Sequence, residues 1–161
     1  QIAKAQGCTV IAAASTEEKR ALCAELGADH CIDYSKPGWQ REVRAKTPGR
    51  RGADVTIDYV GKATWRDSLK LTRTGGRILT CGATTGRDPA TDLNHIFFRQ
   101  LSVLGSTMGD PGDFRAAMNA AARGELRPVV DRVLPLEEAE TAHRLIEDRA
   151  VLGKLVLEVR P

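Results

Sequence analysis

The chain has 161 residues, of which 42% are hydrophobic and 28% are charged, so it is long enough to bury a core and unlike disordered sequences. Its net charge of +3 is mild, with 24 basic residues scattered among 21 acidic ones, which argues against a nucleic-acid partner. No apolar run approaches the roughly 18 residues that span a bilayer. We recognise no signal peptide, and we therefore predict a cytoplasmic protein without a membrane partner.

Four cysteines, Cys8, Cys23, Cys31 and Cys81, fall in or beside predicted strands and a helix. None of them forms a CxxC pair, which makes a closed zinc site a poor interpretation of this chain. We interpret them as reduced, structural thiols, and we predict no bound metal.

Short apolar runs alternate with amphipathic segments along most of the chain. In chain order, we predict strands over 8–14, 29–33, 53–59, 76–82 and 101–107, and helices over 16–26, 38–46, 63–72 and 112–123. Two of the runs, at 53–59 and 76–82, are apolar on both faces, as strands of a parallel sheet covered by helices are. The alternation predicts a doubly wound α/β fold with a mostly parallel sheet.

The last part of the chain has a different character. Residues 128–136 and 152–159 are predicted strands that flank a predicted helix over 136–148. We predict that residues 1–125 form one domain and that 126–161 form a separate C-terminal segment.

The turn after the first predicted strand, in the stretch AAASTEEK, carries Ser15, Thr16 and Lys19 and has no carboxylate directly at the strand end. In a nucleotide-binding sheet, an acid at this place binds the ribose of NAD, whereas small polar and basic residues suit the extra phosphate of NADP. The alternative is that Ser15 only caps the helix, in a capping box with Glu18. The residues alone leave both interpretations open.

Two further residues have competing interpretations. Asp58, at the end of a strand, is expected to cap the next helix, with a cofactor contact as the alternative. His95 is expected to be a packing or surface histidine, with a proton relay as the alternative.

A set of short sequence motifs in a fixed order resembles the medium-chain dehydrogenase/reductases. The resemblance is strongest to the quinone oxidoreductase and zinc-type alcohol dehydrogenase branches of that family. The similarity runs over essentially the whole chain. The motifs are QIAKAQG, CTVIAAAS, ELGADHCIDYS, ADVTIDYVG, GGRILTCGATTG, FFRQLSVLGSTMG and VVDRVLPLEEAETAHRLIE.

This resemblance implies a Rossmann-type cofactor-binding domain that begins just after the glycine-rich loop. Residues 1–7 resemble the end of the helix that follows this loop. The first strand of the family's sheet, its loop and its N-terminal catalytic domain are then expected to be absent, and 126–161 is the segment that packs back on that domain. The absent strand is central, so we expect 8–14 and 53–59 to pair directly, to pair with another chain, or to leave the chain poorly stable.

The resemblance also implies the residues that contact the cofactor. Ser15, Lys19 and Tyr34 match positions near the 2′-phosphate of NADP, and Thr16 beside them offers a further hydroxyl donor. Tyr59, Val60 and Gly61 match the turn under the adenosine, while Gly82, Ala83, Thr84, Ser106 and Thr107 match loops beside the nicotinamide.

The function implied is that of an NADP(H)-dependent oxidoreductase, with NAD less favoured, that transfers hydride between the nicotinamide and a carbonyl or conjugated alkene. The partners would be a small substrate (quinone, enone, aldehyde or alcohol) and further copies of the chain in a homo-oligomer. The alternatives are a cofactor-binding fragment without turnover and a doubly wound methyltransferase.

Overall fold

The computed structural model describes residues 1–159, and Arg160 and Pro161, at the end of the predicted 126–161 segment, lie outside the described residues. The chain divides into two compact units: Gly7–Gly109 is one, and Gln1–Gln6 with the residues from Asp110 onward is the other. By this division the helix after Asp110 groups with the C-terminal residues, and the boundary after residue 125 stays a prediction. No helix of the described part is long and apolar enough to cross a membrane.

The unit Gly7–Gly109 alternates strands and helices, as the sequence predicts. Its strands are β1 (Ile11–Ala13), β2 (His30–Ile32), β3 (Ala53–Asp58), β4 (Thr72–Thr80) and β5 (Ser102–Gly105). Its helices, numbered after a first helix described below, are α2 (Glu17–Glu25), α3 (Trp39–Ala45), α4 (Trp65–Leu71) and α5 (Leu93–Phe97), and Pro48–Arg50 form a 3₁₀ turn. All five strands and the first three of these helices lie where apolar periodicity placed them, and α5 was not predicted.

The strands pair in parallel in two groups. β1 pairs with β2, with Ile11 opposite His30, and β4 lies between β3 and β5 in a three-stranded sheet. Among residues 1–159 no hydrogen-bonded ladder joins β1 to β3. Direct pairing of these two strands, one of the three outcomes expected from the sequence, therefore does not occur. Val55 and Ile57 on β3 are 48% and 60% exposed, an unusual exposure for apolar residues of a parallel strand.

Two hydrophobic clusters hold this unit together. In one, Trp65 and Leu69 of α4 pack on Ile78 of β4 and on Leu101, with Ile96 against them. The second cluster consists of Ile32, Val43 and Leu71, and Ile11, Trp39 and Ala53 pack around it. Trp39 and Trp65 are thus packing residues of these clusters.

Helix α4 runs into β4 without a loop, because Leu71 ends the helix and Thr72 begins the strand. The last carbonyls of a helix have no partner within it. Here two guanidinium groups are the hydrogen-bond donors to these carbonyls. Arg44 donates to the carbonyl of Lys70 at 2.9 Å, and Arg99 donates to the carbonyls of Leu69 and Thr72. Partial burial, and then the nearby Arg44, lower the pKa of Arg99.

The other unit contains one short helix from the start of the chain, α1 (Ile2–Ala5), which lies in the segment 1–7 that resembles a helix end. It continues with α6 (Pro111–Ala122), β6 (Val130–Pro135), a 3₁₀ turn (Leu136–Glu138), α7 (Ala139–Glu147) and β7 (Lys154–Glu158). Strands β6 and β7 are parallel neighbours. Asp110 and Asp113 form a capping box at the start of α6, which the Asp-Pro pair in the sequence could have predicted.

Candidate functional site

The turn after β3 is organised by a buried carboxylate. Asp58 is 4% exposed and accepts hydrogen bonds from the backbone N–H groups of Val60 (3.0 Å) and Gly61 (2.9 Å). The hydroxyl of Thr64 donates to both carboxylate oxygens at 3.0 Å, and that of Ser68 donates to Oδ2 at 2.7 Å. Asp58 therefore binds the turn before α4 and two side chains of that helix start, and Thr64 is the N-cap residue.

This turn is joined to the loop after β4 by several hydrogen bonds. Thr85 donates its backbone N–H (2.8 Å) and its hydroxyl (2.6 Å) to the carbonyl of Val60, and the N–H of Lys62 donates to the carbonyl of Gly86 at 3.0 Å. Gly61 has a φ of +85°, and a Cβ built on it would lie 2.6 Å from the Gly86 carbonyl oxygen. The two loops therefore approach each other closely only because residue 61 is glycine.

A cavity of about 470 Å³ lies at the carboxyl ends of β4 and β5. Its lining residues are Thr80, Cys81, Gly82, Ala83, Gly105, Ser106 and Thr107. A Cβ built on Gly105 would meet no atom within 4 Å, so the space beside this backbone is open. Four of the predicted site residues, Gly82, Ala83, Ser106 and Thr107, are brought together here, at the edge where open α/β sheets bind ligands.

The turn after β1 differs in one respect from the prediction. Thr16, not Ser15, is the N-cap of α2: its hydroxyl oxygen accepts the N–H of Lys19 at 3.3 Å, and no capping box between Ser15 and Glu18 forms. The reason is that the helix begins one residue later than expected, at Glu17. Ser15 is exposed, so its hydroxyl is available to a ligand.

The two basic residues of this turn are in different situations. Arg20 donates to the carbonyl of Ala14 at 3.0 Å and pairs with Asp33 at 3.3 Å, so a carboxylate offsets its charge. The ammonium group of Lys19 makes no hydrogen bond or ion pair with any other residue that the structure describes. The Lys19 charge is thus the one at this turn that an anion can use.

The segment after β2 places Tyr34 beside Trp39, with ring centroids 6.3 Å apart in an edge-on arrangement. The preceding Asp33 accepts hydrogen bonds from the hydroxyl and the N–H of Ser35, and these bonds, helped by Arg20, hold its pKa below the usual value. Asp33 is consequently engaged with its neighbours rather than presented as a ribose ligand.

Tyr59 lies between the two groups of predicted site residues. Its side chain is 58% accessible to solvent, yet partial burial raises its pKa, and the neighbouring Cys23 and Tyr34 act in the same direction. Its carbonyl accepts from Thr84 at 3.4–3.5 Å, on the cavity side. Through Tyr59, the turn after β3 is joined to the loop after β4.

Some residues of this region were not predicted. Thr85 and Lys62 make the bonds between the two loops, but their partners are about 25 residues away in sequence, and no local pattern reveals such a pair. His95 does not line the 470 Å³ cavity; with Arg66 and Asp92 it lines another, of about 320 Å³. That position does not support the proton-relay interpretation.

The cysteines are all free thiols, with Cys8 and Cys81 exposed and Cys23 and Cys31 half-buried. The two exposed thiols are therefore not the buried core residues that we expected from cysteine in general. No three His, Cys, Asp or Glu side chains within residues 1–159 come together in a way that could hold a metal ion.

The sequence matches the family described as zinc-binding dehydrogenase over residues 1–123. The chain belongs to this family. Among the relatives of this chain, the quinone oxidoreductase of Sus scrofa is 30% identical over 164 residues, covering 98% of the chain and 49% of the relative. The acryloyl-coenzyme A reductase of Metallosphaera sedula is 30% identical over 161 residues, covering 98% and 45%.

Solved structures agree with the family. A structure titled NAD-dependent alcohol dehydrogenase superposes with a TM-score of 0.93 at 43% identity, covering 99% of this chain and 46% of that one. AibC superposes with a TM-score of 0.92 at 31% identity, covering 99% and 48%. These matches confirm the medium-chain dehydrogenase/reductase resemblance and the Rossmann-type fold. The chain spans about half the length of the relatives it matches.

Proposed function

We propose that the protein is an NADP(H)-dependent oxidoreductase that transfers hydride between the nicotinamide and a carbonyl or conjugated alkene. The observation that carries the proposal is the open 470 Å³ cavity at the carboxyl ends of β4 and β5, where the loop after β4 is hydrogen-bonded to the turn after β3. The relatives named above, a quinone oxidoreductase, an acryloyl-coenzyme A reductase and an alcohol dehydrogenase, support this reaction class.

In this proposal each group of residues holds one part of the cofactor. Gly82, Ala83, Ser106 and Thr107 would hold the nicotinamide end, and the backbone of Tyr59–Gly61 would support the adenosine. The bare backbone at Gly105, where a Cβ would meet no atom within 4 Å, fits a flat ring that must come close. When bound, the nicotinamide supplies or accepts the hydride, and the residues of this chain orient it.

The choice of NADP rests on the turn after β1. Exposed Ser15 and the Lys19 ammonium offer donors and charge to a 2′-phosphate, and the α2 N-terminus adds its partial positive charge. Glu17 and Glu18 in the first turn of α2 oppose this, since they repel an anion unless they point away.

NAD is the second candidate cofactor. It is favoured by the solved structure with 43% identity, whose title names an NAD-dependent alcohol dehydrogenase. Asp33, the nearest carboxylate after β2, is already bonded to Ser35 and Arg20, which weakens the case for it as the ribose ligand.

Binding without turnover is the other candidate function. The residues that line the cavity include no His, Asp, Glu or Lys, so they offer no evident acid or base to the substrate. Zinc-binding dehydrogenase membership, in turn, disfavours the methyltransferase alternative.

The test is to titrate the full protein chain with NADPH and NADH, following nucleotide fluorescence, and then to follow NADPH absorbance with quinones, enones, acryloyl-coenzyme A and aldehydes. We expect NADPH to bind more tightly than NADH. Lys19→Ala should weaken NADPH binding by about tenfold or more, because a charge-assisted phosphate contact is lost, and leave NADH binding unchanged.

Lys36→Ala is the matched control, since it removes a nearby exposed lysine that contacts Asp33 and not the turn after β1. Tighter binding of NADH, with no effect of Lys19→Ala, would establish the NAD alternative. Binding without turnover on any of these substrates would establish the binding-only candidate. Binding of neither nucleotide, or stabilisation by S-adenosylmethionine instead, would overturn the proposal.

A further inference from the structure

We infer that Asp58 is a positioning residue that holds the cofactor-binding turn in its shape, acting through hydrogen bonds to the backbone rather than by contact with a ligand. The inference rests on the proposed function, because it concerns the binding of a cofactor. The hydrogen bonds of Asp58 are present without any ligand. Both carboxylate oxygens of this buried side chain face donors.

The first step of the argument is the number and kind of these donors. The carboxylate accepts from two backbone N–H groups, of Val60 and Gly61, and from two hydroxyls, of Thr64 and Ser68. Every donor is neutral, so Asp58 is not one half of a buried ion pair. A buried carboxylate is tolerated only where such donors replace its hydration.

The second step is what these bonds fix. The bonds from Val60 and Gly61 turn the chain back on the end of β3, which aims the carbonyl of Val60 at Thr85 (2.6 and 2.8 Å). The same turn brings Gly61 against Gly86 and Ala83. Ala83 lines the 470 Å³ cavity, so the shape of the turn after β3 is transmitted to the cavity wall.

The third step separates this role from general stability. The polar chain continues away from the cavity: Thr72 donates to the carbonyl of Ser68 at 2.7 Å, and Thr56 lies 2.7 Å from the Thr72 hydroxyl. Thr72 is fully buried and does not touch the turn. Loss of its hydroxyl should lower stability without reshaping the turn, which makes it a matched control.

Three variants test the inference: Asp58→Ala, Asp58→Asn and Thr72→Val. The readouts are NADPH and NADH binding and amide hydrogen exchange at Val60, Gly61 and Thr85, measured on the full chain alongside the thermal unfolding midpoint. Asp58→Ala should weaken nucleotide binding by about tenfold or more and speed exchange at these three amides.

Asp58→Asn keeps a carbonyl oxygen for Val60 and Gly61, and the Thr64 and Ser68 hydroxyls can rotate to accept from its amide. It should therefore bind nucleotide within about threefold of wild type, because all four hydrogen bonds to residue 58 can still form. Thr72→Val should bind like wild type even where its unfolding midpoint falls as far as that of Asp58→Ala.

The inference is overturned if folded Asp58→Ala binds and exchanges like wild type, or if affinity follows the unfolding midpoint equally in all variants. If Asp58→Ala does not fold, Asp58→Asn decides: because an amide oxygen is a weaker acceptor than a carboxylate, exchange at Val60 and Gly61 faster than in Thr72→Val supports the role, and equal exchange in the two variants contradicts it. If the wild-type chain binds neither nucleotide, the proposed function fails, while the exchange data still decide whether Asp58 holds the turn.

Discussion

Gly61 is the residue at which the turn after β3 touches the loop after β4. Its φ of +85° is costly for other residues, and a Cβ would come within 2.6 Å of the Gly86 oxygen and 2.9 Å of the Ala83 Cα. We expect Gly61→Ala to lower the free energy of unfolding by about 2 kcal/mol or more, because backbone strain and overlap with backbone atoms add.

Gly75→Ala is the control for this prediction. Gly75 also has a positive φ, of +68°, but a Cβ there would meet only the guanidinium of Arg73, at 3.4 Å. It should cost only the conformational penalty of about 1 kcal/mol. Urea denaturation measures both, and equal losses would show that the contact with Gly86 does not limit residue 61.

At the scale of single elements, the start of α2 gives a direct comparison between two adjacent hydroxyls. Thr16→Ala removes the N-cap and should lower stability by about 1 kcal/mol. Ser15→Ala removes an exposed hydroxyl without a cap bond and should change stability by less than about 0.5 kcal/mol. Thermal unfolding of the two variants tests this, and the reverse order would restore Ser15 as the cap.

The helices and strands were predictable where their signals are local. Alternating apolar runs gave all five strands of the first unit, and Gly27 ends α2 with a φ of +99° as the sequence indicates. The cap was misplaced by one residue because Ser15 and Thr16 are both good N-cap residues. Helix α5 was missed because it is only five residues long and has no amphipathic period.

The candidate site was predictable in outline for a related reason. Residues at the carboxyl ends of parallel strands meet at one edge, so Gly82 and Ser106 could be placed together from the strand assignment alone. The bonds from Thr85 to Val60 join residues 25 apart and depend on the packed arrangement of two loops. The role of Asp58 likewise became visible only with its burial and its four donors.

At the scale of the whole molecule, carboxyl groups with lowered pKa values occur in both units. Ser35 lowers the pKa of Asp33, Arg73 that of Asp54, and Arg132 that of Asp131. A folded-state pKa below the unfolded value means that the unfolded chain binds more protons between the two, so stability is present above the unfolded pKa of about 4 and is lost as pH falls through the folded one.

We therefore expect the urea midpoint to hold from pH 7 to about pH 5 and to fall steadily below about pH 4. Asp33→Asn removes one of these groups and should make the fall shallower. A midpoint that stays constant down to about pH 3 would contradict this prediction.

Strands β3 and β5 carry exposed apolar side chains that bear on the association of whole molecules. Val103 and Leu104 on β5 are 40% and 45% exposed, and they lie on an outer strand of the three-stranded sheet. Such an edge favours association with another strand. The homo-oligomer predicted from the sequence stays a prediction, and sedimentation of the full chain at increasing concentration measures it.

The direct passage from α4 to β4 limits how the length of this chain can vary. A residue inserted at the Leu71–Thr72 junction would turn the end of the helix by about 100° relative to the strand. The carbonyls of Leu69 and Lys70 would then move away from Arg99 and Arg44, and Leu69 would leave its cluster. The number of residues between the start of α4 and the end of β4 is therefore expected to be fixed, and length variation belongs in exposed loops that carry no such bonds.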